Sequence, residues 1–465
     1  MTDLHYLTIS ELSDLIRQRK VSSVEVARAI LDRISTLDGK LEAYATPMAD
    51  SALAEAEAAD REIGAGNYRG PLHGVPLAVK DLCYTRGVRT MGGTAVLRDF
   101  VPDFDATVVV RLRSAGAVIL GKLNLTEGAM SSYNPKFQAP FNPWDAGMSP
   151  GGSSSGSGAA TAAGMCFGSL GSDTGGSIRF PSAMCGIVGL KPTWGRVSRH
   201  GVLDLAQSLD HVGPMTRSVR DAAIMLEALA GEDPSDLTTI PGPAPDVVSE
   251  IDSGVVGLRI GYAEEYATKG VDSETASAVK KAVTTMAELG ADIVDVNVPD
   301  MNEHIAAWRD LCPAEAVTAH SQFYPERAEE YGPWFRSWLE HGSSITAADY
   351  ARAHHLRVEC NGITARAFRE IDVLVCPAML GPDRRKTHAE NYELPAGEFD
   401  SSRQRFTVPY DFNGAPTVTM PSGLNSKGFP LSVQFVAKPG GEAVALRAAR
   451  AFEIAAGTTG LHPPV

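Results

Sequence analysis

The chain has few features of a secreted, zinc-binding or membrane-inserted protein. Its six cysteines are scattered over 465 residues and form no C-x-x-C pair. This spacing predicts free thiols in a reducing compartment and argues against a disulfide framework or a zinc ribbon. No apolar run approaches the roughly 20 residues of a membrane span. Polar residues throughout the N-terminus predict that there is no signal peptide, so we expect a cytoplasmic protein that does not enter membranes.

Positive charge is also in short supply. The chain has 42 Lys and Arg residues against 56 Asp and Glu residues, which gives a formal net charge of −14. Nucleic acids and anionic membranes attract basic patches, so neither is expected as a partner. The 44% hydrophobic and 21% charged residues are an ordinary globular composition, and the length allows one large domain or two smaller ones.

Phosphate-binding loops of the Walker type are missing. That pattern requires a Gly-Lys pair followed by Ser or Thr, where the loop ends. Gly-Lys pairs occur at Gly39-Lys40 and Gly121-Lys122, and neither is followed by Ser or Thr. The glycine-rich stretch at 147–176 is therefore not expected to bind a nucleotide.

Segments that resemble strands alternate with segments that resemble helices. Thr8 with Glu11, and Ser22 with Glu25, fit capping boxes and predict the starts of two helices. Further helices are expected over 49–63 (ended by Gly64), after a cap at Asp105, and over 272–289 and 444–452. Strands are expected at 117–120, 187–190, 257–262, 293–298, 373–376 and 431–436. This alternation favours an α/β fold with a mixed or parallel sheet.

The glycine and serine residues at 147–176 lie between predicted strands, which favours a tight loop near a ligand over a linker. A serine nucleophile needs a base within hydrogen-bond reach. Gly152–Gly156 matches a G-x-S-x-G elbow with Ser154 at its centre, but that motif needs a strand before it, and 142–150 is typical of a loop.

Lysine is the other base that serine hydrolases use. Lys80 ends the apolar run 74–80, where burial would lower its pKa toward ~7–8. A plain ion pair with Asp81 or another carboxylate is the alternative, and position alone leaves both open.

Several long motifs occur in a fixed order along the chain. They are Leu72–Asp81 (LHGVPLAVKD), Ala115–Asn124 (AGAVILGKLN), Ser149–Gly156 (SPGGSSSG), Gly171–Pro181 (GSDTGGSIRFP) and Cys185–Pro192 (CGIVGLKP). In this order they resemble the amidase signature family closely. The resemblance is strong over residues 8–230 and continues more weakly to Phe435.

The resemblance implies a serine hydrolase site, carried over residue by residue. Lys80 is similar to the family's base, Ser153 to its bridging serine after a cis peptide bond, and Ser177 to its nucleophile, 24 positions after Ser153. The implied oxyanion hole consists of the backbone N–H groups of Thr174, Gly175, Gly176 and Ser177. The implied supporting residues are Ser154, Asp173 and Arg179.

The family resemblance also implies a fold and a chemistry. The expected fold is α/β, with a central mixed β-sheet covered by helices on both faces, in a single domain over 1–465. Within it, 1–66 would be a helical segment, 67–230 the signature core, and 231–465 a variable substrate-pocket region with closing strands and a helix. Acyl transfer on a small-molecule amide, ester or carbamate (urethane) would need no metal or organic cofactor, and a homodimer is compatible with it.

Two other functions stay open within the family. One is the A subunit of the glutamyl-tRNA amidotransferase. Arg357 would match the arginine that binds the substrate carboxylate in that branch. Residues 131–142 depart from that branch, and Gln404 stands where an acidic partner is expected, so a stand-alone amidase is favoured. The other is a catalytically inactive scaffold, which the presence of Lys80, Ser153 and Ser177 argues against.

The aromatic side chains of the region 301–394 have two interpretations. They either line an apolar substrate pocket or pack in the core, and core packing is the more common use of such residues. They are Trp308, Tyr324, Trp334, Phe335 and Trp338.

Overall fold

A computed structural model describes residues 4–394 and 401–465 of the chain. Eleven of its strands form one sheet in the order β1-β3-β2-β4-β6-β5-β10-β11-β9-β7-β8. The strands are β1 Tyr44–Pro47, β2 Pro76–Lys80, β3 Val118–Leu123, β4 Gly168–Asp173, β5 Val188–Lys191, β6 His211–Thr216, β7 Arg259–Tyr262, β8 Asp292–Asp295, β9 Val373–Cys376, β10 Thr417–Leu424 and β11 Pro430–Ala437.

The sheet is mixed. Strand β2 pairs in parallel with β3 and β4, and β7 pairs in parallel with β8 and β9. The pairs β1–β3, β4–β6, β5–β6, β5–β10, β10–β11 and β9–β11 are antiparallel. The expected α/β fold with a central mixed sheet is therefore confirmed. Strands from 1–66, 67–230 and 231–465 all belong to this one sheet.

Helices pack on the sheet and connect its strands. They are α1 Ile9–Arg17, α2 Ser23–Leu41, α3 Ala49–Gly64, α4 Thr107–Ser114, α5 Ser155–Ala162, α6 Arg179–Cys185, α7 Val219–Leu229, α8 Glu264–Thr268, α9 Ser273–Glu288, α10 Asn302–Ala306, α11 Trp308–Ala319, α12 Pro333–Ser344, α13 Ala347–Ala367, α14 His388–Tyr392, α15 Val408–Phe412 and α16 Glu442–Ala456. Short 3-10 turns lie at Leu4–Tyr6, Ala95–Leu97, Glu127–Ala129, Ala328–Glu330, Ser401–Gln404 and Thr458–Gly460. Over the described residues, none of the helices is long and apolar enough to cross a bilayer.

The predicted helix starts at Thr8 and Ser22 are confirmed. Each side chain accepts from the backbone N–H three residues later, and the Glu there accepts in return, which is a complete capping box.

The predicted cap at Asp105 is wrong. Helix α4 begins at Thr107 after Ala106, with no side-chain cap. The Asp105 carboxylate instead accepts from the backbone N–H of Arg86 at 2.7 Å and from Arg113 Nη1 at 2.7 Å. Both of its oxygens are therefore used by partners that are distant from the start of the helix.

Several predicted boundaries are off by a few residues. Strand β3 extends to Leu123 beyond the expected 117–120, because 121–123 still pair with β1 and β2. Strand β8 ends at Asp295, before the expected 298. Helix α3 includes Gly64, which was expected to end it. The six cysteines are buried free thiols, as the spacing predicts.

The parallel trio β3-β2-β4 positions the candidate site. Because parallel strands point the same way, their carboxyl ends meet at one edge of the sheet. Lys80 is the last residue of β2, and Ser172 and Asp173 are the last two of β4. All residues of these strands are buried.

Candidate active site

Lys80 is fully buried at the end of β2. Its Nζ donates to Ser153 Oγ at 2.7 Å and to Ser172 Oγ at 2.8 Å. The neighbouring Asp81 pairs with another buried lysine, Lys122, at 3.3 Å. The alternative of a plain Lys80–Asp81 ion pair is therefore wrong, because the Asp81 carboxylate has Lys122 as its partner.

Burial sets the protonation of Lys80. Loss of solvation lowers the pKa of its ammonium group to about 7, although the more distant Asp173, Cys83 and Asp210 oppose the shift. A charged amine in this place has two neutral hydroxyls as its hydrogen-bond partners. The amine is thus neutral in a large part of the molecules near neutral pH, and a neutral amine can accept a proton.

Ser172 was not singled out from the sequence. In the parallel pair, Val79 of β2 lies opposite Leu170 of β4, so Ser172 lies near the level of Lys80. Lys80 and Ser172 are 92 positions apart in the chain, so local sequence pattern does not predict this register. The second hydroxyl on Lys80 could have been found only once the pairing was known.

Ser153 contacts Lys80 from the loop before helix α5. The peptide bond between Gly152 and Ser153 is cis, as the family resemblance implies. The Ser153 carbonyl accepts from the N–H groups of Thr126 at 3.2 Å and Ser155 at 2.9 Å. These bonds fix the backbone on which the Ser153 hydroxyl is carried.

Ser177 lies beside this loop and is partly exposed, whereas residues 171–176 are buried. Its carbonyl accepts from the Ser154 N–H at 3.3 Å, which brings the two segments side by side. In the part of the chain that the structure describes, no hydrogen bond joins the Ser153 and Ser177 hydroxyls. The structure thus brings Lys80 and Ser153 into direct contact and sets the backbone of Ser177 next to Ser154.

Asp173 organises residues 173–179, which we call the 173–179 turn. Its carboxylate accepts from the N–H groups of Gly176 at 2.6 Å, Ile178 at 2.9 Å and Arg179 at 3.3 Å. The Arg179 guanidinium donates to the same carboxylate through Nε at 3.0 Å and Nη2 at 2.7 Å. Burial alone would raise the pKa of Asp173, but the charge and hydrogen bonds of Arg179 hold it well below its usual range.

The carbonyl side of the turn is held by distant parts of the chain. Trp308 Nε1 donates to the Thr174 carbonyl at 2.9 Å, and Thr407 Oγ1 donates to the Gly175 carbonyl at 2.8 Å. The Thr174 hydroxyl donates to Asp210 Oδ1 at 2.5 Å. The backbone of this loop is therefore fixed by side chains from residues 308 and 407 as well as by its own contact with Asp210.

Gly175 has no room for a side chain. A Cβ there would lie 3.0 Å from Trp308 Cζ2 and 3.0 Å from Gln404 Nε2. Because glycine has no Cβ, both side chains can approach the backbone at this position. Gln404, which stands where the sequence comparison with the amidotransferase branch expects an acidic residue, thus lies directly against the 173–179 turn.

Ser154 has a structural position. Its Oγ donates to the Ser172 carbonyl at 3.2 Å and accepts from the Ser172 N–H at 3.3 Å. The Ser155 hydroxyl contacts Tyr133 OH at 2.9 Å. Both hydroxyls therefore brace the loop around Ser153.

Three of the five aromatic side chains considered in the region 301–394 pack in the core. Trp308, Phe335 and Trp338 are buried, and the rings of Trp308 and Trp338 are 5.5 Å apart. Tyr324 and Trp334 are partly exposed. Core packing is thus the interpretation that the three buried rings support, and Trp308 extends this packing to the 173–179 turn.

Arg357 is engaged by the protein itself. Its Nε donates to the Phe412 carbonyl, and its Nη1 and Nη2 donate to the hydroxyl and carbonyl of Ser208, each at 2.9 Å. All three nitrogens therefore have acceptors that belong to the chain. This arrangement joins helix α13 to α15 and to the loop before β6.

A model of the family described as "Amidase" matches residues 25–446. The chain belongs to the amidase family. It is 44% identical over 461 residues to "Putative amidase AmiD" of Mycobacterium tuberculosis (strain ATCC 25618 / H37Rv), which covers 99% of this chain and 96% of that relative. It is also 41% identical to the A subunit of the glutamyl-tRNA(Gln) amidotransferase of Geobacter sp. (strain M21), over 96% of each chain.

Among solved structures, the peptide amidase PAM in complex with the inhibitor chymostatin superposes on this amidase with a TM-score of 0.84 and 31% identity. The superposition covers 96% of this chain and 97% of that one. Family membership makes the chain a hydrolase that acts on amides.

Proposed function

We propose that this amidase works alone, as a serine hydrolase that forms an acyl-enzyme on Ser177. Ser153 and Lys80 would form its proton relay. The observation that carries the proposal is the fully buried Lys80 amine, which lies 2.7 Å from the Ser153 hydroxyl and whose pKa burial lowers to about 7. A neutral amine on a serine hydroxyl is the arrangement that a lysine-based relay needs.

The proposed reaction begins with two proton transfers. Neutral Lys80 accepts the proton of Ser153, Ser153 accepts the proton of Ser177, and the Ser177 oxygen attacks the substrate carbonyl carbon. When the carbon–nitrogen bond breaks, the relay runs backwards and delivers a proton to the departing nitrogen. Water then attacks the acyl-enzyme with the same relay as its base, and the acid product leaves.

The negative charge on the carbonyl oxygen needs donors from the 173–179 turn. The N–H of Gly176 already donates to Asp173, so we leave Gly176 out of the oxyanion hole that the resemblance implies. Thr174, Gly175 and Ser177 remain as its proposed donors. One such donor is worth roughly 3–4 kcal/mol of barrier in other hydrolases.

The A subunit of a tRNA-dependent amidotransferase remains the second candidate, because a relative with this role in its name is 41% identical to the chain. Its substrate, a free amino acid, would need a cation for its carboxylate, and three of the five N–H groups of Arg357 already donate to protein acceptors. This engagement supports a stand-alone amidase.

The purified chain is expected to hydrolyse a simple aryl amide, such as 4-nitroacetanilide, without tRNA, ATP or a second protein. Release of nitroaniline should rise linearly with protein concentration, at least roughly 100-fold above a Ser177→Ala sample. A parallel assay of ammonia from glutamine is the control. Glutamine hydrolysis that occurs only with added partner proteins, and no anilide hydrolysis, would favour the amidotransferase role.

Esters and carbamates present the same carbonyl to the same serine and are further proposed substrates. A panel that keeps one acyl group and varies only the leaving group, as anilide, phenyl ester and phenyl carbamate, separates these classes by kcat/KM.

Ser153→Ala is expected to lower kcat by roughly 10²–10³-fold, which is less than the loss from Ser177→Ala. The reason is that a water molecule can partly replace one bridging hydroxyl, whereas nothing replaces the nucleophile. Steady-state kinetics on the anilide measures both losses. A Ser153→Ala variant with wild-type kcat would remove Ser153 from the relay.

A further inference from the structure

Helix α15 contacts the 173–179 turn from the variable region. Its Asp411 is fully buried, and Asp411 Oδ2 accepts from Arg179 Nη2 at 2.7 Å. Just before the helix, the Thr407 carbonyl accepts from Arg179 Nη1 at 2.9 Å. The guanidinium of Arg179 is thus held by α15 on one side and by Asp173 on the other.

Arg179 links Asp411 to the backbone around Ser177. The Arg179 guanidinium donates to both carboxylate oxygens of Asp173. Asp173 also accepts from the N–H groups of Gly176 and Ile178, which flank Ser177. Two-pronged contacts between arginine and carboxylate are strong and fix the orientation of both partners. A displaced guanidinium would therefore displace Asp173, and with it the residues on either side of Ser177.

Burial of the Asp411 carboxyl group is energetically unfavourable. Burial raises the pKa of its carboxyl group to about 8, against the pull of Arg179. Its Oδ1 has no hydrogen-bond partner among residues 4–394 and 401–465, and His211 Nδ1 lies 3.8 Å away. The buried Lys191 amine, whose pKa burial lowers to about 7, and the Asp173 carboxylate also act on it electrostatically. A half-satisfied buried carboxylate contributes little to stability, so its contact with Arg179 calls for another role.

We propose that Asp411 is a positioning residue, which acts through Arg179 and Asp173 to hold Ser177 and the neighbouring N–H groups in place. The inference rests on the proposed role of Ser177. The proposed oxyanion donors are the N–H groups of Thr174, Gly175 and Ser177. They bind charge that develops only in the transition state, so their misplacement lowers kcat and leaves KM nearly unchanged.

Asp411→Ala is expected to lower kcat on the anilide roughly 100-fold, the scale of a misplacement of about 1 Å, while KM stays within about threefold. Asp411→Asn keeps one oxygen acceptor for Arg179 and replaces the other carboxyl oxygen by an amide NH2 group. It is expected to recover most of the activity, with kcat about three- to tenfold below wild type. This partial rescue by the conservative variant separates positioning from general damage to the fold.

Asp221→Ala is the matched control. Asp221 is equally buried, and it accepts from the N–H groups of Ile9 and Ser10, far from the turn in the chain. Its replacement should lower the melting temperature and leave kcat unchanged. A kcat loss in Asp221→Ala as large as that in Asp411→Ala would overturn the positioning role.

Two further results overturn it. One is wild-type kcat in Asp411→Ala, or in Asp411→Leu, which also removes both oxygens, if the alanine variant does not fold. The other is a rise in KM that accounts for the whole loss of kcat/KM. Labelling by a fluorophosphonate keeps the two proposals apart. If the unsubstituted protein hydrolyses amides but Ser177 is not labelled, Ser177 is not the nucleophile. If Ser177 is labelled and the Asp411 variants keep wild-type kcat, only the positioning role of Asp411 is refuted.

Discussion

Ser177→Ala should lower kcat on the aryl amide by roughly 10⁴–10⁶-fold, because no other group can form the acyl-enzyme. Ser177 is the partly exposed hydroxyl at the end of a buried run, and Asp173 holds the N–H groups on both sides of it. The variant should keep its fold, since removal of one partly exposed oxygen leaves those backbone bonds in place. Turnover of the anilide and melting temperature are the two measurements.

A fluorophosphonate probe gives an independent readout. Wild-type protein should carry one label, on the peptide that contains Ser177, and the alanine variant should carry none. Ser149→Ala is the control, because Ser149 lies in the same serine-rich stretch and its hydroxyl accepts from the Gly151 N–H at 3.1 Å. Labelling that survives in Ser177→Ala, or disappears in Ser149→Ala, would place the nucleophile elsewhere.

Local pattern predicts much of the fold near the site. The capping boxes at Thr8 and Ser22 depend on residues three positions apart, so the sequence shows them directly. The long motifs around Lys80 and Ser177 carry the family resemblance, and the implied cis bond before Ser153 is present. Each of these features is carried by a short continuous stretch of the sequence.

What the sequence does not reveal depends on contacts between distant segments. Asp105 accepts from Arg86 and Arg113 and does not cap helix α4. Ser172 reaches Lys80 only through the register of β2 and β4. Asp411 meets Arg179 from 232 positions away. Such pairs have no periodicity or spacing in the chain, because only the folded backbone brings them together.

Lys80→Met should lower kcat by roughly 10³–10⁴-fold, since it removes the base and keeps a long apolar side chain in the same buried space. The variant is expected to be no less stable than wild type, because it relieves the desolvation of a buried amine. Lys122→Met is the matched control. Lys122 is also fully buried, but its amine pairs with Asp81 at 3.3 Å, so its loss leaves a buried carboxylate unpaired. We expect lower thermal stability there, with kcat per folded molecule largely kept.

The pH dependence of kcat/KM in the wild-type protein is a second test of Lys80 as the base. Burial lowers the pKa of Lys80 to about 7, and only the neutral amine can accept a proton from Ser153. Below pH 7 the amine is protonated, so kcat/KM should fall about tenfold per pH unit there and level off above pH 7. In Lys80→Met the residual rate should lose this acidic limb, because the group that titrates is gone. A variant that keeps the limb, or keeps near-wild-type kcat, would show that another group supplies the base, and the hydrogen bond between Lys80 and Ser153 would then have only a structural role.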